Sequence, residues 1–452
     1  MVPNSTAATT ATTTNNRRAA TNPTAATTTE NRRAATNPAT TEKRTTARSA
    51  PAARRAVRLP SLTGLRFVAA ALVLAFHASF EGFFQDRAAA DHFAALFSKA
   101  GWVGVSFFFL LSGFVLAWSA RRTDTARLFW RRRILKIGPS HLVTAAVAFL
   151  LLAAVNTVPG VGEVVPNLLL VHSWFPQLEI FISGNPVSWS LSCELFFYLA
   201  FPLLWRRVSR IDPARLWWWA GAVTVAVLCV PLVAGLLPAG PPVTMPDGST
   251  GLWRYWFVYV LPPVRALEFV LGMLLARMVR EGVWRSPHPA LTAALAVAGY
   301  LLATQVPYLY GLVAATVVPL AVVTASVAHA DATGRRTRLS GRTLVVLGET
   351  SFALYLVHRL VLMYGHRLLG ATHSWSTPVA VLLVVASFVV SLLLARALYL
   401  LVERPLSDRW GSPAADAPRG AGARNHPDRT AAGHRGGAAV DLPRRSPSHA
   451  ER

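Results

Sequence analysis

Six side chains that titrate or carry charge lie inside otherwise apolar stretches: Arg66, His77, Glu194, Arg265, Glu268 and His358. Such groups are expensive in a bilayer unless paired or wetted, so each is a candidate for function. Arg66 and His77 bracket the run Phe67–Phe76, which holds only aliphatic and aromatic residues and alanine. Eleven residues make just over three helical turns, so the two share one helix face about 16 Å apart along the axis. The plain reading is a snorkelling arginine and a histidine satisfied by a neighbouring carbonyl. The chemical reading is a general base, because imidazole exchanges a proton near neutrality. Glu194, in "PVSWSLSCELFFYLAFPLLW", and His358, in "GETSFALYLVHRLVLMYGH", lie at about the same depth from their segment ends as His77. Three groups from three helices are thus expected at one level, with Glu194 fixing the His77 tautomer. Arg265 and Glu268, at i and i+3, read as an ion pair within one helix.

The elements that must hold these groups are membrane helices. Charged residues are only 15% of the 452 and hydrophobic ones 53%, too apolar for a soluble surface. The net charge of +24 is no nucleic-acid footprint. Its basic residues form short clusters between long apolar runs, which is the pattern of a polytopic membrane protein. The chain reads as all-α, a bundle of about ten transmembrane helices. Candidate spans lie near 65–84, 102–119, 139–158, 187–205, 215–237, 255–278, 289–307, 309–329, 343–365 and 377–401. With both termini cytoplasmic, the inner segments are the N-terminal tail, 120–138, 206–215, 277–286, 331–342 and the C-terminal tail. Together they hold over four-fifths of the 45 Lys and Arg, which supports that orientation.

Segment 120–138 mixes arginine with Leu, Phe, Trp and Ile and reads as an interfacial helix. Trp253, Trp256 and Tyr259 read as an interfacial aromatic belt. The prolines before Arg265 are expected to break the helix. Trp189, Ser190 and Ser192 read as packing and hydrogen-bonding residues, and Cys193 and Cys229 as small apolar ones. Residues 1–58, rich in Thr, Ala and Arg with the near duplicate "TTTNNRRAATNP" and "TTTENRRAATNP", are expected to be disordered, as is the basic tail 409–452. The long polar stretch ahead of the first apolar run does not read as a cleavable signal. The transmembrane domain is placed at 59–408.

Seven motifs occur in order: "LTGLRFVAAALVLAFH", "GWVGVSFFFLLSGFVL", "FWRRRILKIGPSHL", "WSLSCELFFYLAFPLL", "RALEFVLGMLLA", "LGETSFALYLVH" and "LVERPL". In register they resemble the membrane-bound acyltransferase-3 family, which transfers acyl groups to hydroxyls of sugars, lipopolysaccharides, peptidoglycan and secondary metabolites. The resemblance implies a ten-helix core with His77 as the catalytic histidine and Arg66 the arginine ten residues before it. It also implies Glu194 as the acid after Trp-Ser, Arg265 and Glu268 as the Arg-x-x-Glu pair, and His358 as the late histidine. Ser106, in "GVSFFFLLSG", departs from the Asp of many relatives. The "LPSLTGLRF" opening and the Ala- and Arg-rich composition look like actinomycete members, some of which acylate macrolides or other antibiotics.

The resemblance further implies an acyl-CoA donor, with no permanently bound cofactor and no metal. Arg66 with Arg131, Arg132, Arg133 and Lys136 would form an electropositive inner mouth for its phosphates. His77 would deprotonate the acceptor hydroxyl and Glu194 would orient it, while Arg265, Glu268 and His358 would place the acceptor or the oxyanion. The acceptor is expected to be a carbohydrate, a cell-envelope glycan or a macrolide-type product, and the location a plasma membrane. The rival is a transporter or flippase using the same His and Glu as a proton relay; consumption of a thioester separates the two.

Overall fold

The computed structural model describes residues 58–120 and 124–410, so the tails read as disordered lie outside the described residues apart from their innermost positions. Among those described, ten helices have 17 residues or more, one on each apolar segment. They are α1 (Pro60–Ser79), α2 (Ala100–Ser119), α3 (Ala126–Ala154), α4 (Trp189–Val208) and α5 (Leu216–Gly235), then α6 (Pro262–Arg280), α7 (Pro289–Gln305), α8 (Ala314–Ala332), α9 (Ser351–Gly370) and α10 (Thr377–Leu398). By length and apolarity 7 helical stretches can cross a membrane, or 8 if α9 and the helix Arg342–Glu349, bent by 65° at Thr350, form one span. The expectation of about ten is therefore too high. α4 falls short because Ser190, Ser192, Glu194, Arg206 and Arg207 lower its hydropathy. α7 falls short in length, since 17 residues rise about 26 Å against a hydrocarbon core of about 30 Å.

The interfacial helix expected at 120–138 is also corrected. Thr125 caps α3, its hydroxyl oxygen accepting from the Leu128 amide at 3.3 Å, and the helix then runs unbroken through Pro139 to Ala154. A proline removes one backbone donor, a loss a long, packed helix absorbs. The basic cluster therefore forms the first turns of a spanning helix.

At the centre, α1, α2 and α6 approach almost backbone to backbone. A Cβ added at Gly113 would lie 1.8 Å from the Phe269 carbonyl oxygen, and one at Gly272 would lie 1.9 Å from that of Leu110. Lipid tails supply no hydrophobic drive between helices, so close approach at small residues is how such contacts gain dispersion energy. The crossing sets the register that brings Ser106 of α2 against Arg265 of α6. α1 is fixed at its start by Asp331 of α8, whose carboxylate accepts from the Ser61 amide at 2.8 Å and the Ser61 hydroxyl at 2.5 Å. That satisfies a donor left unpaired at the helix N-terminus.

Two connections fold inward over the bundle. Between α3 and α4, Asn167 donates to the Ser183 carbonyl at 2.7 Å, and Asn185 donates to the Leu356 carbonyl of α9 at 2.7 Å. Between α5 and α6, strands β1 (Pro242–Met245) and β2 (Gly248–Gly251) form an antiparallel hairpin in which Met245 pairs with Gly248 across a Pro246-Asp247 turn. The chain then passes through a π-helical turn, Trp256–Val260, and an extended Leu261 before Pro262 opens α6.

Replacing Gly272 by Val drives methyl groups into the Leu110 backbone, where no side chain can yield. Overpacking costs about 1–3 kcal/mol even where neighbours can give; here the expected result is loss of folded, monodisperse protein in detergent size-exclusion chromatography. Gly221→Ala on α5, whose added Cβ meets nothing within 4 Å, should elute as wild type. A well-folded Gly272→Val protein would show that α2 and α6 do not cross here.

Candidate active site

His77 and His358, on α1 and α9, face each other. The Nδ1 of His77 lies 2.8 Å from the carbonyl of Val73, one turn earlier on its own helix. The Nδ1 of His358 lies 3.2 Å from the carbonyl of Leu354 in the same way. A carbonyl only accepts, so both Nδ1 atoms carry the hydrogen. His358 Nε2, left with a lone pair, sits 3.2 Å from His77 Nδ1 and shares its proton. His77 therefore keeps a bare Nε2 with no partner among the described residues, the tautomer a general base requires. Beside the dyad, Glu81, just past the end of α1, and Arg359, next to His358 in the middle of α9, form an ion pair, with the Arg359 guanidinium over the Phe80 ring at 5.3 Å.

His77 lines a cavity of about 190 Å³ whose wall includes the aromatic rings of Phe76, Phe80, Trp102, Phe181, Trp189, Tyr255, Tyr259 and Tyr355. Met245 and Pro246 of the hairpin close its edge. The hairpin is anchored by Asp247, which accepts from Lys99 Nζ at 2.6 Å and from Trp102 Nε1 at 2.8 Å, the two side chains of the ion pair being 7% and 2% exposed.

A second cavity, of about 110 Å³, carries the charge. Arg66, Arg133, Lys136 and Glu194 line it, with Ser112, Tyr198 and Ser190. Val105 and Tyr355 line both cavities, and Tyr355 is held there by Ser190 at 2.8 Å and by donation to the Val187 carbonyl at 3.2 Å.

Arg66 and His77 thus open on different cavities from one helix. Glu194 does not meet His77: its carboxylate accepts from Tyr198, one turn on, and from Ser112 at 3.3 Å, in the charged cavity. His358 meets His77 instead. Arg265 and Glu268 pair at 2.9 Å, 1% and 2% exposed, as their spacing suggested. The Arg265 guanidinium also donates to Ser106 at 3.1 Å and lies between the rings of Phe109 and Tyr259 at 5.0 and 4.7 Å. Of the basic cluster, Arg133 and Lys136 reach the cavity, whereas Arg132 pairs with Asp124 at 2.5 Å and Arg131 is not among the lining residues. The aromatic belt is corrected in part: Trp253 is exposed, but Trp256 donates to the Ser173 carbonyl at 2.9 Å and Tyr259 is buried in the wall of the His77 cavity.

Sequence reasoning passed over Tyr355, Asp247 and the Glu81–Arg359 pair. Asp247 had a signal: "MPDG" is a tight-turn tetrapeptide, and it holds the one acid between α5 and α6.

The family described as the acyltransferase domain matches residues 59–396. The chain is 46% identical over 376 residues to Acyltransferase MdmB of Streptomyces mycarofaciens, covering 80% of this chain and 96% of that protein. It is 26% identical over 388 residues to the putative peptidoglycan O-acetyltransferase YrhL of Bacillus subtilis (strain 168), covering 77% of this chain and 55% of that one. It is 27% identical over 163 residues to the peptidoglycan O-acetyltransferase OatA of Listeria monocytogenes, covering 32% and 24%. No solved structure matches.

The buried Lys99–Asp247 pair yields a double-mutant cycle. Removing one partner strands a buried charge, at about 3–5 kcal/mol, whereas replacing both by apolar groups of similar size is near neutral. Lys99→Met and Asp247→Leu should each lower the thermal midpoint in detergent, and the double variant should recover most of it. Additive losses would mean the two charges are independently solvated.

Proposed function

The chain belongs to the acyltransferase-3 family, and from that premise we propose that it is a plasma-membrane O-acyltransferase moving a short acyl group from acyl-CoA to a hydroxyl. The observation that carries the reading is the bare Nε2 of His77 on an aromatic cavity that shares Tyr355 and Val105 with a cationic one.

The donor enters the cationic cavity. Arg66, Arg133 and Lys136 meet its phosphates there, while Glu194, satisfied by Tyr198 and Ser112, limits the excess positive charge. The thioester end reaches past Tyr355 toward His77. The acceptor lies in the aromatic cavity, whose flat rings suit the apolar faces of a sugar or a macrolactone. His77 Nε2 takes the hydroxyl proton as the oxygen attacks the thioester carbon. The imidazolium formed is stabilised through Nδ1 by the Val73 carbonyl and by His358, which acts as a positioning residue. Glu194 keeps no role at His77 in this scheme. Arg265 and Glu268 brace the wall through Ser106 and Tyr259 rather than holding substrate.

The distribution of basic residues supports an orientation with both termini and the cationic cavity on the cytoplasmic side, the side that would supply acyl-CoA. The acceptor class is a glycan hydroxyl, as the names of two relatives have it, or a macrolide-type product.

Membranes carrying the chain should release thiol from acetyl-CoA in the presence of a suitable acceptor, and His77→Ala should cut that rate about 100-fold or more. Near-normal turnover would remove His77 from the chemistry. Arg66→Ala should raise the acyl-CoA KM about tenfold, one phosphate contact in affinity terms, with kcat little changed. A fall in kcat at unchanged KM would move Arg66 from binding to chemistry.

A further inference from the structure

We propose that Tyr259 is a further catalytic residue: its hydroxyl donates the hydrogen bond that holds the oxyanion formed on the acyl carbonyl beside His77. The proposal rests on the acyltransferase reading and goes beyond it, since neither the family motifs nor the ionisable pattern marks this tyrosine.

Five observations converge. The Tyr259 hydroxyl is buried and has no hydrogen-bond partner, although its ring lines the same cavity as His77. A buried hydroxyl that has left water and found nothing is a standing loss unless a ligand completes it. Three of the neighbouring donors are already engaged: Tyr355 with the Val187 carbonyl, Trp102 with Asp247, Arg359 with Glu81. Tyr259 also sits in the π-helical turn before Leu261; such turns are rare and occur often at functional sites, where the extra residue re-aims a side chain. Its ring is clamped by Trp102 at 4.7 Å and Trp189 at 4.9 Å, so the ring is held in place before any ligand arrives. Finally, the Arg265 guanidinium lies 4.7 Å from the ring centre. A cation on that face draws electron density from the ring and makes its O–H a stronger donor.

The step balances. His77 Nε2 takes the acceptor proton, the acceptor oxygen bonds to the thioester carbon, and the carbonyl π pair moves onto its oxygen, where the Tyr259 O–H meets it. As that pair returns, the carbon–sulfur bond breaks and the thiolate takes the proton from His77 Nε2, giving an ester and free CoA thiol. An aimed donor in a wall of aromatic carbon stabilises developing charge more than water does, because nothing must reorganise.

Tyr259→Phe isolates the hydroxyl, because ring, stacking and cation contact all survive. With purified protein, acetyl-CoA as donor and erythromycin or N-acetylmuramic acid as acceptor, kcat should fall about 100-fold. The acetyl-CoA KM should stay within about twofold and the thermal midpoint should hold or rise, since no protein partner is lost. Wild-type turnover by the Phe variant overturns the proposal and leaves the acyltransferase reading standing. So does a loss of activity accompanied by a lower midpoint, which would make the hydroxyl structural. If the wild type itself releases no thiol with either acceptor, the acyltransferase reading and the proposal fall together.

Discussion

An imidazole is a defined base only when one nitrogen is held protonated and the other is left bare. In this chain the Val73 carbonyl does the holding, from one turn below His77 on the same helix. That carbonyl lies inside a helix, so its position is fixed by α1 itself. The second restraint, His358, repeats the device on α9, and its own Leu354 carbonyl leaves its Nε2 free to face His77. Two helices that each set their own histidine need only be packed in the right register to make the dyad. The Glu81–Arg359 pair and the Asp331 cap on α1 keep that register from opposite ends. Neither ring needs a carboxylate, which is an economy inside a membrane, where a buried anion needs compensation of its own.

The same economy shapes the remaining charges. Arg265 is buried at the close crossing of α2 and α6, and Glu268, Ser106 and two aromatic faces share its charge among them. Lys99 is neutralised by Asp247 from a loop, so its burial also fixes the hairpin over the His77 cavity. The Arg265–Ser106 hydrogen bond ties α6 to α2, the Lys99–Asp247 pair ties the hairpin to the start of α2, and the Glu81–Arg359 pair ties α9 to the end of α1. The cavity of Arg66, Arg133 and Lys136 keeps an excess of positive charge, with Glu194 as its one lining carboxylate.

How much of this was legible follows from what hydropathy measures. Apolar runs of span length located the helices, and the i, i+3 spacing of Arg265 and Glu268 located their pair. Depth from a segment end also placed His77 and His358 at a common level. It could not say which way a side chain points around its helix axis, because that angle is set by packing. Glu194 was expected at the same level and yet lies in the other cavity, held by Tyr198 at i+4, a neighbour the sequence does show. Tyr259 was read as interfacial because "WRYWFVYV" is dense in aromatics. Its true direction depends on a π turn, which breaks the 3.6-residue period on which such readings rest. The count of spans erred because it included α4, whose serines, Glu194 and terminal arginines lower its hydropathy, and α7, whose 17 residues are short of a span.

The two cavities impose a further condition on the acyltransferase reading. A bare Nε2 would activate water as readily as an alcohol, and water attack on a thioester wastes the donor. Selectivity for the alcohol must therefore come from the cavity. Its wall is mostly aromatic and aliphatic carbon, its one guanidinium is neutralised by Glu81, and Met245 and Pro246 lie at its edge. A water there would find few partners, whereas an acceptor with an apolar face gains contact area as it enters. The charged cavity has the opposite character and suits the phosphates of the donor. In that reading, separation by polarity keeps the two substrates apart until they meet at Tyr355 and Val105, and the apolar wall acts as an acceptor filter.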